Sequence, residues 1–446
     1  MTTLHDRLAD LAADAPPGTP VPDLWDRGRR YARRRRVGTV VVVGVVVLLL
    51  AGVAGAGWLR TPHDVAPARP DANARAGLPD RLYLPSPWLP GTDETGPIGP
   101  VVALVPGPRG SDGTGIAGVS RSGAYTFLDL PDRADEAEAE GEVAVSPDGR
   151  WVAYWSTGEV SDGPNTSTGA APVVGVAVYD SVTGDVLRHE VPSAHGLMPG
   201  ELVWGGTTLW SDWLPFANAG SSGHAEAPLD DENGLAWDLA DGTRRAFTPR
   251  SMPQVYDGTS SGGALVTVDD RRLTTSTIAE PRSPGARFDT RVESRAFVSP
   301  DGGRVAVLED TDDPGVASNQ AEPLAVATPG ADGLSTVRVP GGRVDVVLGW
   351  RDRDHVVVQR YRQADGAYLS VDVRTGDSEQ LLDLPPENWS PGVLVPQDVW
   401  QAPQFAAPAP PDPMSPRTRA TLVGTGAAAV VLGGVALVLW RRRVRP

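Results

Sequence analysis

The feature that most constrains the fold is a hairpin pattern that occurs twice. The segments are VAVSPDGRWVAY at residues 143–154 and AFVSPDGGRVAVL at residues 296–308. Both place Ser-Pro-Asp-Gly between two apolar runs, at Ser146–Gly149 and at Ser299–Gly302. Proline fixes φ near −65°, aspartate accepts hydrogen bonds from the local backbone, and glycine adopts the positive φ that leads into the next strand. The pattern therefore predicts the same tight β-hairpin at two places.

A second hairpin recurs along the chain. Three segments share a strand, an acidic residue, a glycine-containing turn and a strand that ends in proline: VAVYDSVTGDVLRHEVP (176–192), LAWDLADGTRRAFTP (235–249) and LSVDVRTGDSEQLLDLP (369–385). Joined to the first hairpin, this one completes a four-stranded antiparallel unit of roughly 40–50 residues, the size of a propeller blade. The internal repeats therefore predict several similar four-stranded sheets.

The region between residues 80 and 401 reads as strands throughout. Short runs with period-two apolar patterning are separated by glycine, proline and aspartate, and no amphipathic helix of ordinary length interrupts them. The predicted strands are Val101–Val105, Tyr125–Leu130, Val143–Ser146, Trp151–Trp155, Val173–Tyr179, Val186–Val191, Leu235–Leu239, Ala264–Val268, Arg304–Leu308, Leu324–Ala327, Val344–Leu348, His355–Gln359, Tyr368–Val373 and Glu379–Leu384. We predict an all-β domain, with a β-sandwich as the alternative architecture.

These repeats resemble the TolB-type, SPDG-containing β-propellers, relatives of the WD-repeat proteins. The resemblance rests on the two Ser-Pro-Asp-Gly turns and covers about residues 80–401. It implies an all-β propeller of about six four-stranded blades, six to seven, in which Leu82–Leu84 and Val393–Val399 close the ring or form a partial seventh blade. Because a closed propeller brings its first and last strands together, the two ends of the domain are expected to be adjacent.

Two uncharged apolar segments bracket this region, residues 37–59 and residues 420–440. They contain 23 and 21 residues, and a helix needs roughly 20 to cross a bilayer. Arginine clusters lie on the terminal side of each segment, at Arg33–Arg36 and at Arg441–Arg443 with Arg445, so the positive-inside rule places both termini in the cytoplasm. We predict two transmembrane helices. The alternatives are a cleaved signal peptide for the first segment and a buried soluble helix for the second.

The predicted organisation follows from these boundaries. In chain order it comprises a basic cytoplasmic segment (1–36), a transmembrane helix (37–59), a flexible stalk (60–79), the extracytoplasmic propeller (80–401), a proline-rich stalk (402–419), a transmembrane helix (420–440) and an arginine-rich cytoplasmic tail (441–446). Both stalks contain few large apolar side chains, which is typical of extended linkers. The two stalks would hold one compact domain at both of its ends.

Charge differs between the predicted compartments. Residues 1–36 carry a net charge of +3, whereas residues 61–416 carry 25 Arg against 51 Asp and Glu, a net charge of −26. A strongly acidic exterior disfavours nucleic acid as a partner, because phosphate binding needs clustered cations. The chain has no cysteine, which excludes disulfides and thiolate metal sites. All 40 basic residues are arginine, a composition typical of GC-rich bacterial genes.

Residue types that commonly carry catalysis are scattered. No histidine pair has metal-ligand spacing, and no GxSxG nucleophile motif is present. Two acidic clusters, Asp230–Glu232 and Glu309–Asp313, are predicted to be solvated loops, with a calcium site as the alternative. The histidines are His5, His63, His189, His195, His224 and His355. We assign no catalytic, cofactor-binding or metal-binding residue.

Tryptophan is abundant, with 13 residues in the chain. Those within or beside predicted strands are expected to pack between blades. The alternative is a ligand-binding role on one face or in the central channel, since aromatic side chains offer a large contact area with a polar edge. These residues are Trp151, Trp155, Trp204, Trp210, Trp213, Trp237 and Trp350.

Together these features predict a multi-pass protein of the plasma membrane with both termini in the cytoplasm. Its extracytoplasmic propeller is expected to be a non-catalytic binding or scaffold module for protein, peptide or glycan ligands of the cell envelope. The bilayer is the other expected partner, and nucleic acid is not one. Two alternatives stay open: a transmembrane sensor that signals through residues 1–36, and a hydrolase or lyase whose site lies in the propeller channel. Neither the ligand nor the oligomeric state follows from the sequence.

Overall fold

The chain divides into two compact units, Ala66–Pro413 and Met1–Val65 with Met414–Pro446. The computed structural model describes most of the first unit and only isolated positions of the second. The described residues are 77–413 apart from gaps at 112, 135–142, 166–170, 221–232, 248–257, 270, 281–282, 284, 311–320, 361–365 and 386–391.

Strands dominate the described residues. The strands are β1 (Leu78–Pro79), β2 (Val101–Arg109), β3 (Gly113–Ser120), β4 (Tyr125–Phe127), β5 (Val143–Val145), β6 (Trp151–Thr157), β7 (Val173–Asp180), β8 (Val186–Glu190), β9 (Leu197–Gly205), β10 (Thr208–Pro215), β11 (Gly234–Asp238), β12 (Arg244–Phe247), β13 (Thr259–Ser261), β14 (Ala264–Asp269), β15 (Arg272–Ser276), β16 (Ala286–Arg287), β17 (Val292–Val298), β18 (Val305–Glu309), β19 (Glu322–Gly330), β20 (Gly333–Val344), β21 (Val346–Trp350), β22 (His355–Arg360), β23 (Ala367–Asp372), β24 (Ser378–Asp383) and β25 (Gln404–Phe405). Within the same part of the chain, a short helix α1 (Thr92–Thr95) and a 3₁₀ turn (Gln397–Gln401) accompany them.

Strands β2 to β24 form six antiparallel sheets in the described part of the chain, each built from strands that are consecutive in sequence. Blade 1 contains β2–β4, blade 2 β5–β8, blade 3 β9–β12, blade 4 β13–β16, blade 5 β17–β20 and blade 6 β21–β24. The four-stranded unit predicted from the repeats is confirmed in blades 2 to 6. Blade 1 has three consecutive strands and is completed by the two ends of the domain.

Apolar clusters between neighbouring blades show that the sheets form a ring. Among the described residues there are six such clusters, and each spans two blades. One of them joins the last blade to the first: Val102 and Phe127 of blade 1 pack in the same cluster as Val357 and Leu382 of blade 6. Every blade therefore buries apolar side chains on both faces. The prediction of an all-β propeller with about six blades is confirmed.

Both ends of the domain close the ring at blade 1. Leu104 of β2 exchanges backbone hydrogen bonds with Leu394, at 2.8 and 3.1 Å, so the segment after blade 6 adds an inner strand to blade 1. At the other edge of this sheet, Gly91 forms a parallel bridge with Phe127. Leu82 donates its N–H to the Asp383 carbonyl of blade 6 at 2.8 Å. The predicted segments Leu82–Leu84 and Val393–Val399 thus close the ring rather than begin another blade.

The start of the predicted second stalk lies along the start of the domain. Strand β25 pairs with β1 in parallel, with Leu78 beside Gln404. The contact continues where Ala407 N–H donates to Asp80 Oδ1 at 2.9 Å and Ser86 Oγ donates to Asp412 Oδ1 at 2.6 Å. The predicted adjacency of the two ends of the domain is confirmed. Residues 404–412 are bound to the propeller along this edge.

Several strands, among them β3, β15 and β20, fall outside the sequence predictions. Strand β3 has the sequence GTGIAGVS, and its glycines weaken the strand signal. In the fold these glycines make room for neighbours, because a Cβ added to Gly115 would lie 2.8 Å from the Phe127 ring. Close packing against an aromatic side chain, which only the tertiary structure reveals, explains why a glycine-rich segment forms a strand.

None of the helices in the described part of the chain has the length and apolarity needed to cross a membrane. The two predicted spans, residues 37–59 and 420–440, lie outside the described residues apart from single positions.

Candidate functional site: the central channel

A cavity lies where the first strands of the blades converge. Strands β2, β5, β9, β13, β17 and β21 all contribute lining residues, as does the closing segment through Leu394 and Val395. Its volume is about 740 Å³, within the range of roughly 300–1,000 Å³ that is typical of ligand sites. The cavity is the central channel of the propeller, and every blade takes part in its wall.

The channel wall is mainly apolar. Val143, Leu202, Phe297 and Leu348 line it from four different blades. Each of these side chains belongs to the period-two pattern that packs one blade against the next. The pattern that stabilises the ring therefore also gives the channel an apolar surface, which favours ligands with apolar side chains.

Two hydroxyl groups in the wall are used within the protein. Thr259 Oγ1 donates to the carbonyl of Ala296, and Ser260 Oγ accepts a hydrogen bond from Gly206 N–H at 2.9 Å. These bonds join blade 4 to blades 5 and 3. Their structural role leaves charged and amide side chains as the groups that would orient a ligand.

Three charged residues line the channel among the described residues: Arg133, Glu201 and Arg295. Arg295 precedes the end of β17 by three residues and Glu201 precedes Trp204 of β9 by three residues. The backbone of Arg133 forms an antiparallel β-bridge with that of Ser156. Ser156 lies near the end of β6 that is farther from the Ser-Pro-Asp-Gly turn. The three side chains therefore lie towards the same end of the channel, opposite the turns.

These three residues were not identified from the sequence. Each is a single charge beside an apolar run, a common arrangement at strand ends. Their shared location depends on closing the ring, because Arg133 belongs to the connection after blade 1, Glu201 to blade 3 and Arg295 to blade 5. The only local signal was a charge three or four residues before the end of the first strand in two blades.

A partly buried carboxylate, that of Asp212, supports the strand that carries Glu201. Asp212 Oδ1 accepts a hydrogen bond from Glu201 N–H at 2.9 Å, across a bulge between β9 and β10. Burial raises the pKa of Asp212 above its ordinary value, although the hydrogen bond from Glu201 acts in the opposite direction. The ionised form is therefore less favourable in the folded protein than in the unfolded chain.

We expect Asp212→Asn to stabilise the protein at neutral pH while leaving its stability at acidic pH unchanged. A carboxyl whose pKa is raised on folding favours the folded state below its unfolded pKa, and this contribution is lost as pH rises through the folded pKa. Asparagine keeps an oxygen acceptor for Glu201 N–H. The check is Tm as a function of pH for both proteins. Asp301→Asn is the control and should destabilise the protein at neutral pH, because hydrogen bonds from Ser299 and Gly303 lower the pKa of Asp301. A similar change of Tm with pH in both variants would contradict this prediction.

The two Ser-Pro-Asp-Gly turns have the same geometry in blades 2 and 5. Ser146 Oγ donates to Asp148 Oδ1 at 2.6 Å and accepts from Trp151 N–H at 2.9 Å. Ser299 repeats both bonds with Asp301 and Arg304 at the same distances. Gly149 and Gly302 have φ values of 76° and 70°. The domain is a six-bladed β-propeller. In this propeller each such turn joins the channel-lining strand to the next strand of its blade.

Similarity to known proteins is limited to solved structures. No protein-family model matches the chain, and no curated protein matches it. Among solved structures, TolB from Acinetobacter baumannii is similar with 13% identity and a TM-score of 0.37, over 65% of this chain and 68% of that chain. The dihydro-heme d1 dehydrogenase NirN is similar with 17% identity and a TM-score of 0.32, over 67% of this chain and 69% of that chain. The Pyrococcus horikoshii acylaminoacyl peptidase is similar with 12% identity and a TM-score of 0.35, over 60% of this chain and 41% of the peptidase.

The histidines that the structure describes lie apart from one another, and none of them lines the channel. His195 Nδ1 is 2.9 Å from the Gly163 carbonyl oxygen, and His355 Nδ1 is 2.8 Å from Asp352 Oδ1. His189 packs near Trp237, with ring centroids 6.4 Å apart. His5, His63 and His224 lie outside the described residues.

One acidic residue predicted to lie in a solvated loop is buried in a strand. Glu309 is the last residue of β18, and Arg338 Nε of β20 donates to its carboxylate. The prediction was wrong for this residue because the strand extends one position beyond the apolar run. Asp230–Glu232, Asp312 and Asp313 lie outside the described residues. Within the part of the chain that is described, no three potential ligands cluster as a metal site.

The prediction that tryptophans pack between blades is confirmed. All seven are buried, and each belongs to a cluster that spans two blades. Five of them lie in the interface of blades 2 and 3. Trp204 also lines the channel, so one aromatic side chain serves both the packing and the candidate site.

Proposed function

We propose that this chain is a membrane-anchored, extracytoplasmic β-propeller that binds a protein, peptide or cell-envelope ligand in its central channel without chemically changing it. The channel is the observation that carries the proposal. It has the volume of a ligand site, an apolar wall to which every blade contributes, and a small set of charged groups at one end. This combination is typical of binding sites, in which apolar surface gives affinity and a few polar groups fix orientation.

Membrane anchoring is supported by the two apolar segments and by their arginine clusters. Because the chain has no cysteine, single cysteines can report the topology. We expect a membrane-impermeant maleimide to label Val337→Cys in intact cells, since Val337 is 66% exposed on β20. Thr3→Cys should react only after the membrane is permeabilised. Labelling of both residues in intact cells, or of neither, would contradict the proposed arrangement.

Ligand binding can be tested by photocrosslinking in cells. We expect a photoreactive phenylalanine analogue at Gln397, in the channel wall, to yield a discrete crosslinked species. The matched control carries the same analogue at Val337, on the outside of blade 5. We expect more crosslinked product from Gln397 than from Val337, because a bound ligand would be held against the channel wall. Identical adducts at the two positions, or no adduct at Gln397, would reject the channel as the binding site.

A further inference from the structure

The segment that follows β25 is restrained by its own sequence. Residues 407–413 read APAPPDP, so every residue is a proline or directly precedes one. Proline fixes φ near −65°, and the residue before a proline is driven into extended conformations. These restraints together specify a polyproline II helix, which has three residues per turn and no internal hydrogen bonds.

The burial of this segment repeats every three residues. Ala407, Pro410 and Pro413 are half-buried, whereas residues 408–409 and 411–412 are exposed. A period of three is that of a polyproline II helix, whereas side chains of a strand alternate with a period of two. The chain therefore passes from strand β25 into a polyproline II helix, and one face of this helix lies on the propeller.

Two prolines form one outward edge of the helix. Pro408 and Pro411 are both exposed, and their separation of three residues places them on the same side of a polyproline II helix. Hydrogen bonds hold both ends of the segment. Asp80 Oδ1 accepts one from the backbone at its start at 2.9 Å, and Ser86 Oγ donates one near its end at 2.6 Å. The helix is thus ordered before a partner binds, which reduces the entropic cost of binding.

Exposed prolines with this spacing are typical of one mode of peptide recognition. Pro-x-x-Pro segments in polyproline II conformation bind grooves lined with aromatic side chains. The charge of the domain favours a particular kind of groove, because residues 61–416 carry a net charge of −26. Electrostatic complementarity therefore favours a partner with basic residues around the groove.

We propose that residues 407–413 bind a partner protein in a groove that is lined with aromatic side chains and has a basic rim. Pro408 and Pro411 are the residues that enter this groove. The surface runs along residues 80–86, and none of these residues lines the channel. The interaction is therefore separate from the proposed binding of a ligand in the channel, and either can fail without the other.

The geometry of the helix is tested in the full chain in lipid nanodiscs. Ala407→Cys and Ala409→Cys are matched single-cysteine variants, because the chain has no cysteine of its own. Residues two apart share a side in a strand but not in a polyproline II helix. We expect a maleimide to label Ala409→Cys at least about threefold faster than Ala407→Cys. Equal rates would identify a strand and would overturn the proposal.

Binding is tested by photocrosslinking in cells. A photoreactive phenylalanine analogue at Ala409, which is exposed, should give a protein adduct. The double variant Pro408→Ala, Pro411→Ala should lower the yield of this adduct at least about fivefold, the scale of losing one important contact at an interface. Pro403→Ala is the matched control and should leave the yield unchanged, because Pro403 precedes the helix and alanine keeps the carbonyl that accepts Leu78 N–H.

The chemistry of the partner is tested with a proline decapeptide, which adopts the same polyproline II conformation. In excess, it should compete with the full chain and lower the yield of the adduct. It should also change the tryptophan or tyrosine fluorescence of the purified partner, because aromatic side chains line the proposed groove. Raising the salt concentration should lower the yield, since attraction between exposed charges is screened.

Several outcomes would overturn the proposal. They include no protein adduct at Ala409, an adduct that survives in the double variant, and an adduct with lipid or with a second copy of this chain. A partner whose fluorescence does not respond to the proline peptide would also contradict it. The crosslink at Gln397 should persist in the double variant. Tm values of the proline variants confirm that each is folded.

Discussion

Replacing Trp400 with alanine is expected to lower the free energy of unfolding by about 3–5 kcal/mol, the cost of deleting a buried aromatic side chain. Trp400 is 2% exposed. Its ring meets that of Tyr368 edge to face, with 5.7 Å between the centroids. Both residues belong to the cluster between blades 6 and 1. The cavity would therefore form between blades 6 and 1, where the ring closes.

Chemical unfolding of the full chain and amide hydrogen exchange measure this effect. Exchange should accelerate most at Leu104 and Leu394, whose backbone groups pair across the closure. Trp400→Phe is the matched control: Nε1 of Trp400 has no hydrogen-bond partner among the described residues, so phenylalanine loses volume but no bond. We expect it to cost less than about half as much. Equal costs, or faster exchange spread evenly over the blades, would show that the closure is not the weak point.

Substituting Gly149 with alanine should destabilise the propeller far more than the same change at Gly302. Both glycines end a Ser-Pro-Asp-Gly turn with positive φ, and a left-handed conformation costs alanine about 1–2 kcal/mol. At Gly149 the added Cβ would also overlap the backbone carbonyl of Val101 in blade 1. At Gly302 it would meet no atom within 4 Å.

The second effect at Gly149 is overpacking, which costs about another 1–3 kcal/mol because the obstructing atoms are backbone. Val101 N–H also donates to the Gly149 carbonyl at 2.8 Å, so a shift that relieves the overlap would weaken this bond between blades 1 and 2. The measurement is the difference in unfolding free energy between Gly149→Ala and Gly302→Ala. A difference below about 1 kcal/mol would mean that the interface adapts to the added methyl group.

Local patterns predicted these strands because they are short apolar runs of β-branched and aromatic residues bounded by turn residues. Trp151–Trp155 and His355–Gln359 are two such runs, and the structure places both in strands with consecutive buried residues. The turns were equally predictable, since Ser-Pro-Asp-Gly dictates its own hydrogen bonds. Strand β3 was not predicted because its glycines are explained only by the neighbours packed against them, such as the Phe127 ring beside Gly115.

The candidate site was less predictable than the fold, because no stretch of sequence encodes it. Arg133, Glu201 and Arg295 are more than 60 residues apart in sequence, and only closure of the ring brings them to one end of the channel. The apolar wall has the same origin as the core, so its residues could not be distinguished from packing residues. Closure itself depends on Leu394 pairing with Leu104, a contact between opposite ends of the domain.

The parallel pairing of β1 with β25 gives the domain a mechanical property. Strands β1 and β25 run side by side in the same direction, with Leu78 beside Gln404. Tension applied to the N-terminal side of Gly77 and to the C-terminal side of Asp412 would therefore pull the two segments in opposite directions. The hydrogen bonds between residues 78–86 and residues 404–412 are then loaded in shear, all together, rather than broken one at a time. A propeller held by its two ends would resist such a force until this edge yields as a unit, and only afterwards would the load reach the ring.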